Sequence, residues 1–250
     1  MILAIDVGNT RLKWGLHDGV AWCTQGALEL GAITDLAAQL SQLSDHSECA
    51  VVANVAGVPI RDALAAQLEK MHIPVRWLRS QRSQCGVVNS YLDPAQLGVD
   101  RWAALIGARR LQHGPCLVVM AGTATTVDVL DADGVFQGGL ILPGVELMRG
   151  ALARNTAQLT LEAGVPQTLP RSTPDAIASG CLLAQAGAVE RMFEFFHGAK
   201  NAVCLVSGGA APLLLEHLRI AARQVENLVL EGLIEVARHP SPQPSPPGRG

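Results

Sequence analysis

Charge is scarce in this chain: 16% of its 250 residues are Asp, Glu, Lys or Arg, the formal net charge is −3, and no block of like charge occurs. That balance excludes long-range attraction to nucleic acid or an anionic membrane surface. No helix-turn-helix-like pair with clustered Arg and Lys is present either. The six cysteines (Cys23, Cys49, Cys85, Cys116, Cys181, Cys204) form no C-x-x-C pair, and no His cluster stands at metal-ligand spacing. A zinc framework is thereby excluded, and the cysteines read as reduced, mostly core residues. No apolar run reaches the roughly 18 residues of a spanning helix. The opening run Met1–Ile5 is broken by Asp6 and has no basic flank, so it is too short for a signal peptide. The expectation is a cytoplasmic protein acting on a small soluble molecule, with neither nucleic acid nor a membrane as partner.

What the chain does have is apolar mass. At 49% hydrophobic residues, it can bury one large core or two ordinary ones. Ile2–Ile5 reads as a strand, Asp6-Val7-Gly8-Asn9-Thr10 as a turn, and Leu12–Leu16 as a second strand closing at Asp18-Gly19. The plan recurs half a chain later, with Leu117–Met120, then Ala121-Gly122-Thr123-Ala124-Thr125-Thr126, then Val127–Leu130 and Asp133-Gly134. Aligning Gly8 with Gly122 superposes Leu3–Ile5 on Leu117–Val119, the mark of a duplication. Further apolar runs, Ala50–Val55 and Ala202–Val206, alternate with helical stretches expected at Arg61–Met71, Asp100–Leu111, Asp175–Phe196 and Pro212–Gln224. Hairpins followed by crossovers predict α/β domains with mixed sheets. His-Gly-Pro within Gln112–Pro115 places a break between residues 1–112 and 113–238. The Pro/Ser/Gly-rich stretch 239–250 reads as a disordered tail.

The chemistry-bearing positions cluster at the two turns. Asp6-Val7-Gly8-Asn9-Thr10-Arg11-Leu12-Lys13 offers what a triphosphate needs: backbone N–H donors, a hydroxyl, a carboxylate able to anchor Mg²⁺, and the Lys13 ammonium for the β- and γ-phosphates. An ordinary polar hairpin tip would look the same in isolation. The second turn, with Thr123, is again rich in hydroxyls, and two such tips facing one cleft can clamp a nucleotide. Ser207-Gly208-Gly209-Ala210, between an apolar run and a helical stretch, would let backbone approach adenine or ribose. The duplicated arrangement resembles the acetate and sugar kinase, heat-shock chaperone and actin group, whose two ribonuclease-H-like domains hold ATP between them.

A narrower resemblance rests on Asn89–Trp102 (NSYLDPAQLGVDRW), together with D-x-G-N-T at the start, G-T-A-x-T-x-D in the middle and Gly138-Gly139-Leu140-Ile141-Leu142-Pro143-Gly144. In that order these motifs are similar to those of the type III pantothenate kinases, over about residues 1–210. The resemblance implies ATP-dependent phosphorylation of pantothenate to 4′-phosphopantothenate with Mg²⁺, at the start of coenzyme A synthesis. It assigns Asp100 as general base, Arg101 as the partner of the pantothenate carboxylate or a phosphate, and Tyr91, Gly98 and Val99 as pocket lining. Thr173 would reach the substrate across a homodimer interface, and K⁺ or NH₄⁺ would serve as monovalent cation. Residue by residue, Asp100 also fits a helix start, and Thr173 a helix cap before Pro174. One departure concerns the cation: Met120 stands where the family commonly has an Asp, and a thioether cannot replace a carboxylate for a hard cation. Asp128 or a backbone carbonyl is the remaining candidate ligand. The alternatives are a non-catalytic transcriptional accessory factor and another small-molecule kinase of the same architecture.

Overall fold

Strand periodicity sets the architecture. In β1 (Ile2–Val7), Leu3, Ile5 and Val7 enter one core while Ala4 enters another, so Asp6 falls on the Ala4 side. β2 (Arg11–His17) pairs antiparallel with β1, and β3 (Trp22–Glu29) antiparallel with β2. β4 (Cys49–Asn54) then runs parallel to β1, and β5 (Val75–Trp77) parallel to β4, giving the order β3-β2-β1-β4-β5. The computed structural model that reveals this order describes residues 1–40, 47–156 and 162–239. The expected tail therefore lies, but for His239, outside the described residues.

The second sheet repeats the plan. β8 (Cys116–Ala121), β9 (Ala124–Leu130) and β10 (Val135–Pro143) form an antiparallel meander, and β11 (Val203–Ser207) and β12 (Ala222–Gln224) add parallel to β8 in turn. The order β10-β9-β8-β11-β12 matches the first sheet strand for strand. These are the two duplicated ribonuclease-H-like units that the twin turns predict. β6 (Ser83–Gln84) and β7 (Val87–Asn89) extend the second sheet beyond β10.

Five layers result. α1 (Leu36–Leu40) and α2 (Val58–Lys70) cover the outer face of the first sheet. α3 (Val99–Leu111) and α7 (Leu228–Arg238) lie between the sheets in one shared core with Ala4, Val51, Val118 and Leu205. α5 (Thr173–Phe193) and α6 (Ala211–Leu215) cover the outer face of the second sheet, joined by Val145 of α4 (Val145–Asn155). α3 and α7 cross so tightly that a Cβ on Gly232 would collide with the Ala103 carbonyl, and one on Gly107 with that of Leu228. The halves interlock around this crossing. His113–Pro115 does separate α3 from β8, but β6 and β7 from before it join the second sheet, and α7 from after it packs on β1 and β4.

Several stretches differ from the sequence reading. The helix expected over Pro212–Gln224 stops at Leu215, because Ala222–Gln224 pairs in register with Cys204–Val206, a tertiary demand that outweighs helix propensity. β3 and α7 are additional: the first is an edge strand with alternating exposure, the second a helix buried on most of its surface.

Candidate functional site

The two turns meet. Thr10 Oγ1 and Thr123 Oγ1 lie 3.0 Å apart although 113 residues separate them. Each turn is closed by a glycine amide, Gly8 N donating to Arg11 O at 3.0 Å and Gly122 N to Ala124 O at 3.1 Å. Asn9, Thr10 and Arg11 stand exposed at the first tip. Val7 and Leu12 do not: their side chains are buried in the outer core, so only their backbone belongs to the tip. Two further motifs close on the second tip. Ala210 N donates to Ala121 O at 3.1 Å, bringing in the Ser207–Ala210 loop, and Gly144 N donates to Thr123 O at 2.9 Å. Glycine turns and hydroxyls from both halves thus converge at one place.

On the Ala4 side of the first hairpin Asp6 pairs in register with Lys13. Burial pushes the Asp6 carboxyl up to about 7, the nearby Asp100 carboxylate pushes the same way, and Lys13 pulls against both. Two carboxylates that repel each other beside one lysine form a site suited to a cation. Asp100 sits in the first turn of α3, after the N-cap Gly98, with its Oδ1 accepting from Arg101 N at 2.8 Å. The cap position itself is Gly98, so Asp100 is a first-turn residue whose outer oxygen remains available. Among the described residues no three His, Cys, Asp or Glu side chains group as a metal cage. Mg²⁺ does not need one, since it takes one or two carboxylates together with phosphate oxygens and water. The Asp6 and Asp100 carboxylates fit that preference.

Arg101 is placed differently from the expectation. Its Nε donates to Asp128 Oδ2 at 3.1 Å and its Nη2 to Asp128 Oδ1 at 2.5 Å, with both side chains buried. The two-bond edge expected to meet a substrate carboxylate is therefore occupied by Asp128, as a buried guanidinium requires a buried counter-charge. Burial works against the charge on Arg101, but Asp128 and Tyr91 outweigh it and hold the guanidinium protonated. The remaining edge, Nη1, donates to Tyr91 Oη at 3.1 Å, and the guanidinium lies 5.8 and 5.7 Å from the ring centres of Tyr91 and Phe136. Tyr91 is half-buried, and both Tyr91 and Val99 pack against the shared core.

The loop carrying Tyr91 is fastened by Arg82, which the sequence reading did not single out, and by Asn89 at the start of the Asn89–Trp102 motif. Arg82 Nη1 donates to the carbonyls of Asn89 and Tyr91 at 2.9 and 3.0 Å. The buried Asn89 side chain donates to Pro94 O at 3.2 Å and accepts from Tyr91 N at 3.1 Å. Arg82 carries no local signal. Asp128 does, since a carboxylate inside the apolar run Val127–Leu130 needs a buried partner.

Met120 takes the place in the second hairpin that Asp6 takes in the first. It faces Thr126 across the register, and the buried Thr126 hydroxyl has no partner. Asp128, the other expected cation ligand, has both oxygens engaged by Arg101 and is fully buried. Neither Met120 nor Asp128 offers a free carboxylate to a monovalent cation.

Thr173 is the first residue of α5. Ser172 caps α5, accepting from Asp175 N at 3.2 Å, which leaves the Thr173 hydroxyl exposed. It borders an apolar groove of about 700 Å³ between α4 and α5, with Met148, Leu152, Ile177 and Cys181 among its walls. No helix among the described residues is long and apolar enough to cross a membrane.

Comparison with known proteins places these features in a family. The profile of the type III pantothenate kinases matches residues 2–194. A protein from Aromatoleum aromaticum named type III pantothenate kinase is 54% identical over 241 residues, covering 95% of this chain and 98% of that one. Among solved structures, a Sinorhizobium meliloti protein described as a 2-dehydro-3-deoxygalactonokinase superposes with a TM-score of 0.62 at 16% identity, covering 96% of this chain and all of that one. A Campylobacter jejuni protein described as a Baf family transcriptional activator gives 0.60 at 19%, covering 94% and 97%. At such identities these two report the fold alone.

Proposed function

From the premise that the chain belongs to the type III pantothenate kinase family, we infer that its two facing tips form the crevice in which the reaction runs. The enzyme transfers the γ-phosphoryl group of ATP to the primary hydroxyl of pantothenate, giving 4′-phosphopantothenate and ADP, the step that opens coenzyme A biosynthesis. Two observations carry the site assignment: the contact of Thr10 with Thr123 and the electrostatic coupling of Asp6 to Asp100.

In the proposed arrangement the Gly8–Thr10 and Gly122–Thr123 turns bind the phosphates through backbone N–H and hydroxyl donors, and Lys13 balances charge on the transferring group. The Ser207–Ala210 loop takes the adenosine. Mg²⁺ held at Asp6 would neutralise the β- and γ-oxygens. Asp100 accepts the proton of the attacking hydroxyl. Because the transition state of phosphoryl transfer is loose, alignment matters more here than base strength. Gly98, Val99, Tyr91 and the Nη1 edge of Arg101 line the acceptor pocket.

Asp6 makes a pH signature. A carboxyl raised by folding binds its proton more tightly in the native state, so its share of stability is complete below about 3.8 and declines as pH climbs to about 7. Metal binding has the opposite slope, because the proton must leave first. KM for MgATP should fall about tenfold per unit between pH roughly 5.5 and 7 and level off above. A KM profile flat over that range would remove Asp6 from the metal site.

With a thioether at Met120 and Asp128 engaged by Arg101, dependence on K⁺ or NH₄⁺ is weakened in this enzyme. Pantothenate phosphorylation assayed at constant ionic strength should change less than about twofold when K⁺ replaces a bulky organic cation, since no carboxylate is free there to select it. A tenfold activation by K⁺ would contradict this, and absence of phosphorylated pantothenate under both conditions would sink the functional assignment.

A homodimer completes the acceptor pocket in this reading. The groove between α4 and α5 is apolar, Leu147 and Leu183 stand 42% and 50% exposed, and Thr173 at its border would reach the partner's pantothenate. Sedimentation equilibrium should return twice the 26.3 kDa chain mass. Ile177→Glu, which places a charge in the groove, should give a folded monomer with little turnover; a fully active monomer would refute the shared pocket.

A further inference from the structure

Gln185 is 1% exposed, and its carboxamide oxygen has no hydrogen-bond partner. Burying an unpaired carbonyl oxygen disfavours folding, so a Leu or Met of similar volume would serve the core of α5 better. The amide nitrogen, however, donates to Pro143 O at 2.5 Å and lies 3.6 Å from Met148 Sδ. Pro143 is the last residue of β10, paired with Ala124 at the end of the second hairpin. The next residue, Gly144, donates its N–H to Thr123 O at 2.9 Å, and Thr123 meets Thr10 across the crevice. An unbroken line of contacts thus runs from the middle of α5 to the place where the two tips face each other.

We propose that Gln185 is a positioning residue for the nucleotide: by holding the Pro143 carbonyl it fixes the Pro143–Gly144 turn against Thr123 and sets where the second tip meets the phosphates. This rests on the assignment of the tips to ATP. Gln185 acts on nucleotide binding through Thr123; it also meets Met148 on a wall of the α4–α5 groove, so KM for pantothenate measures any effect passed that way. The unpaired oxygen is the cost that accompanies the donor, and the two effects have opposite signs.

Gln185→Met and Gln185→Leu separate them. Both should unfold at a temperature equal to or above that of the parent. Both should raise KM for MgATP and Kd for a non-hydrolysable ATP analogue about tenfold, the scale of one well-placed hydrogen bond, with KM for pantothenate within about twofold. Gln185→Glu, whose carboxylate faces the same carbonyl without a donor, should bind the analogue no better than the apolar variants. A lowered melting temperature with unchanged nucleotide constants would make Gln185 an ordinary core residue and overturn the proposal, as would insoluble apolar variants or analogue affinities equal to the parent's. The analogue titration needs no acceptor. A parent protein that binds the analogue without phosphorylating pantothenate would therefore count against the functional assignment and leave this test standing.

Discussion

Asp100→Asn should lower kcat by about 10²- to 10⁴-fold, the range of general-base catalysis, while nucleotide affinity stays within a few-fold of the parent. The substitution is close to isosteric. Asn keeps the oxygen that accepts from Arg101 N at 2.8 Å, so the first turn of α3 and the Arg101 placement behind it are preserved. What is lost is the ability to take a proton. The loose transition state puts the loss toward the lower end of the range, because alignment of the hydroxyl survives in part. A second readout accompanies it. Asp100 helps push the Asp6 carboxyl up to about 7, so its neutralisation should move the pH dependence of MgATP binding to lower pH, though burial keeps Asp6 above the ordinary carboxylate range. Turnover within tenfold of the parent, with the pH profile unmoved, would take Asp100 out of the base role and away from Asp6.

What could be read from the sequence alone is what local pattern encodes. The two hairpins appear as apolar runs around glycine turns, and the alignment of Gly8 with Gly122 anticipates that Asp6 and Met120 occupy equivalent places. α3 and α5 carry recognisable starts, Gly98 to Asp100 and Ser172 to Asp175. The remainder depends on pairing at a distance. β3 was hidden because an edge strand with alternate residues exposed shows no continuous apolar run. Ala222–Gln224 reads as helix until β11 recruits it. The Arg101–Asp128 pair joins residues 27 apart, and nothing near Arg101 says that its fork is already engaged. Arg82 and Gln185 act through backbone carbonyls, which every residue possesses, so no side-chain motif could disclose them.

Asp128→Ala should destabilise the fold by about 3–5 kcal/mol, the cost of leaving a buried charge without its partner. For a chain of this size that corresponds to a fall in melting temperature on the order of 10 °C. The geometry leaves the guanidinium little refuge: Arg101 is 4% exposed, and its other neighbours are the Tyr91 hydroxyl and two aromatic faces. Gly139 shows how closely the pair is enclosed, since a Cβ there would overlap Asp128 Oδ1 and lie 3.0 Å from Arg101 Nη2. Turnover should fall with stability, because Tyr91 is held by Arg101 and Asp100 precedes it in the helix. The double variant Arg101→Met/Asp128→Leu separates the two effects. Apolar side chains of similar volume remove both desolvated charges, so most of the lost stability should return, whereas KM for pantothenate should stay high because the Nη1 edge is gone. Recovery of both would reduce the ion pair to a core element with no part in the acceptor pocket. A melting temperature for Asp128→Ala within about 2 °C of the parent would show that Arg101 is not confined as described.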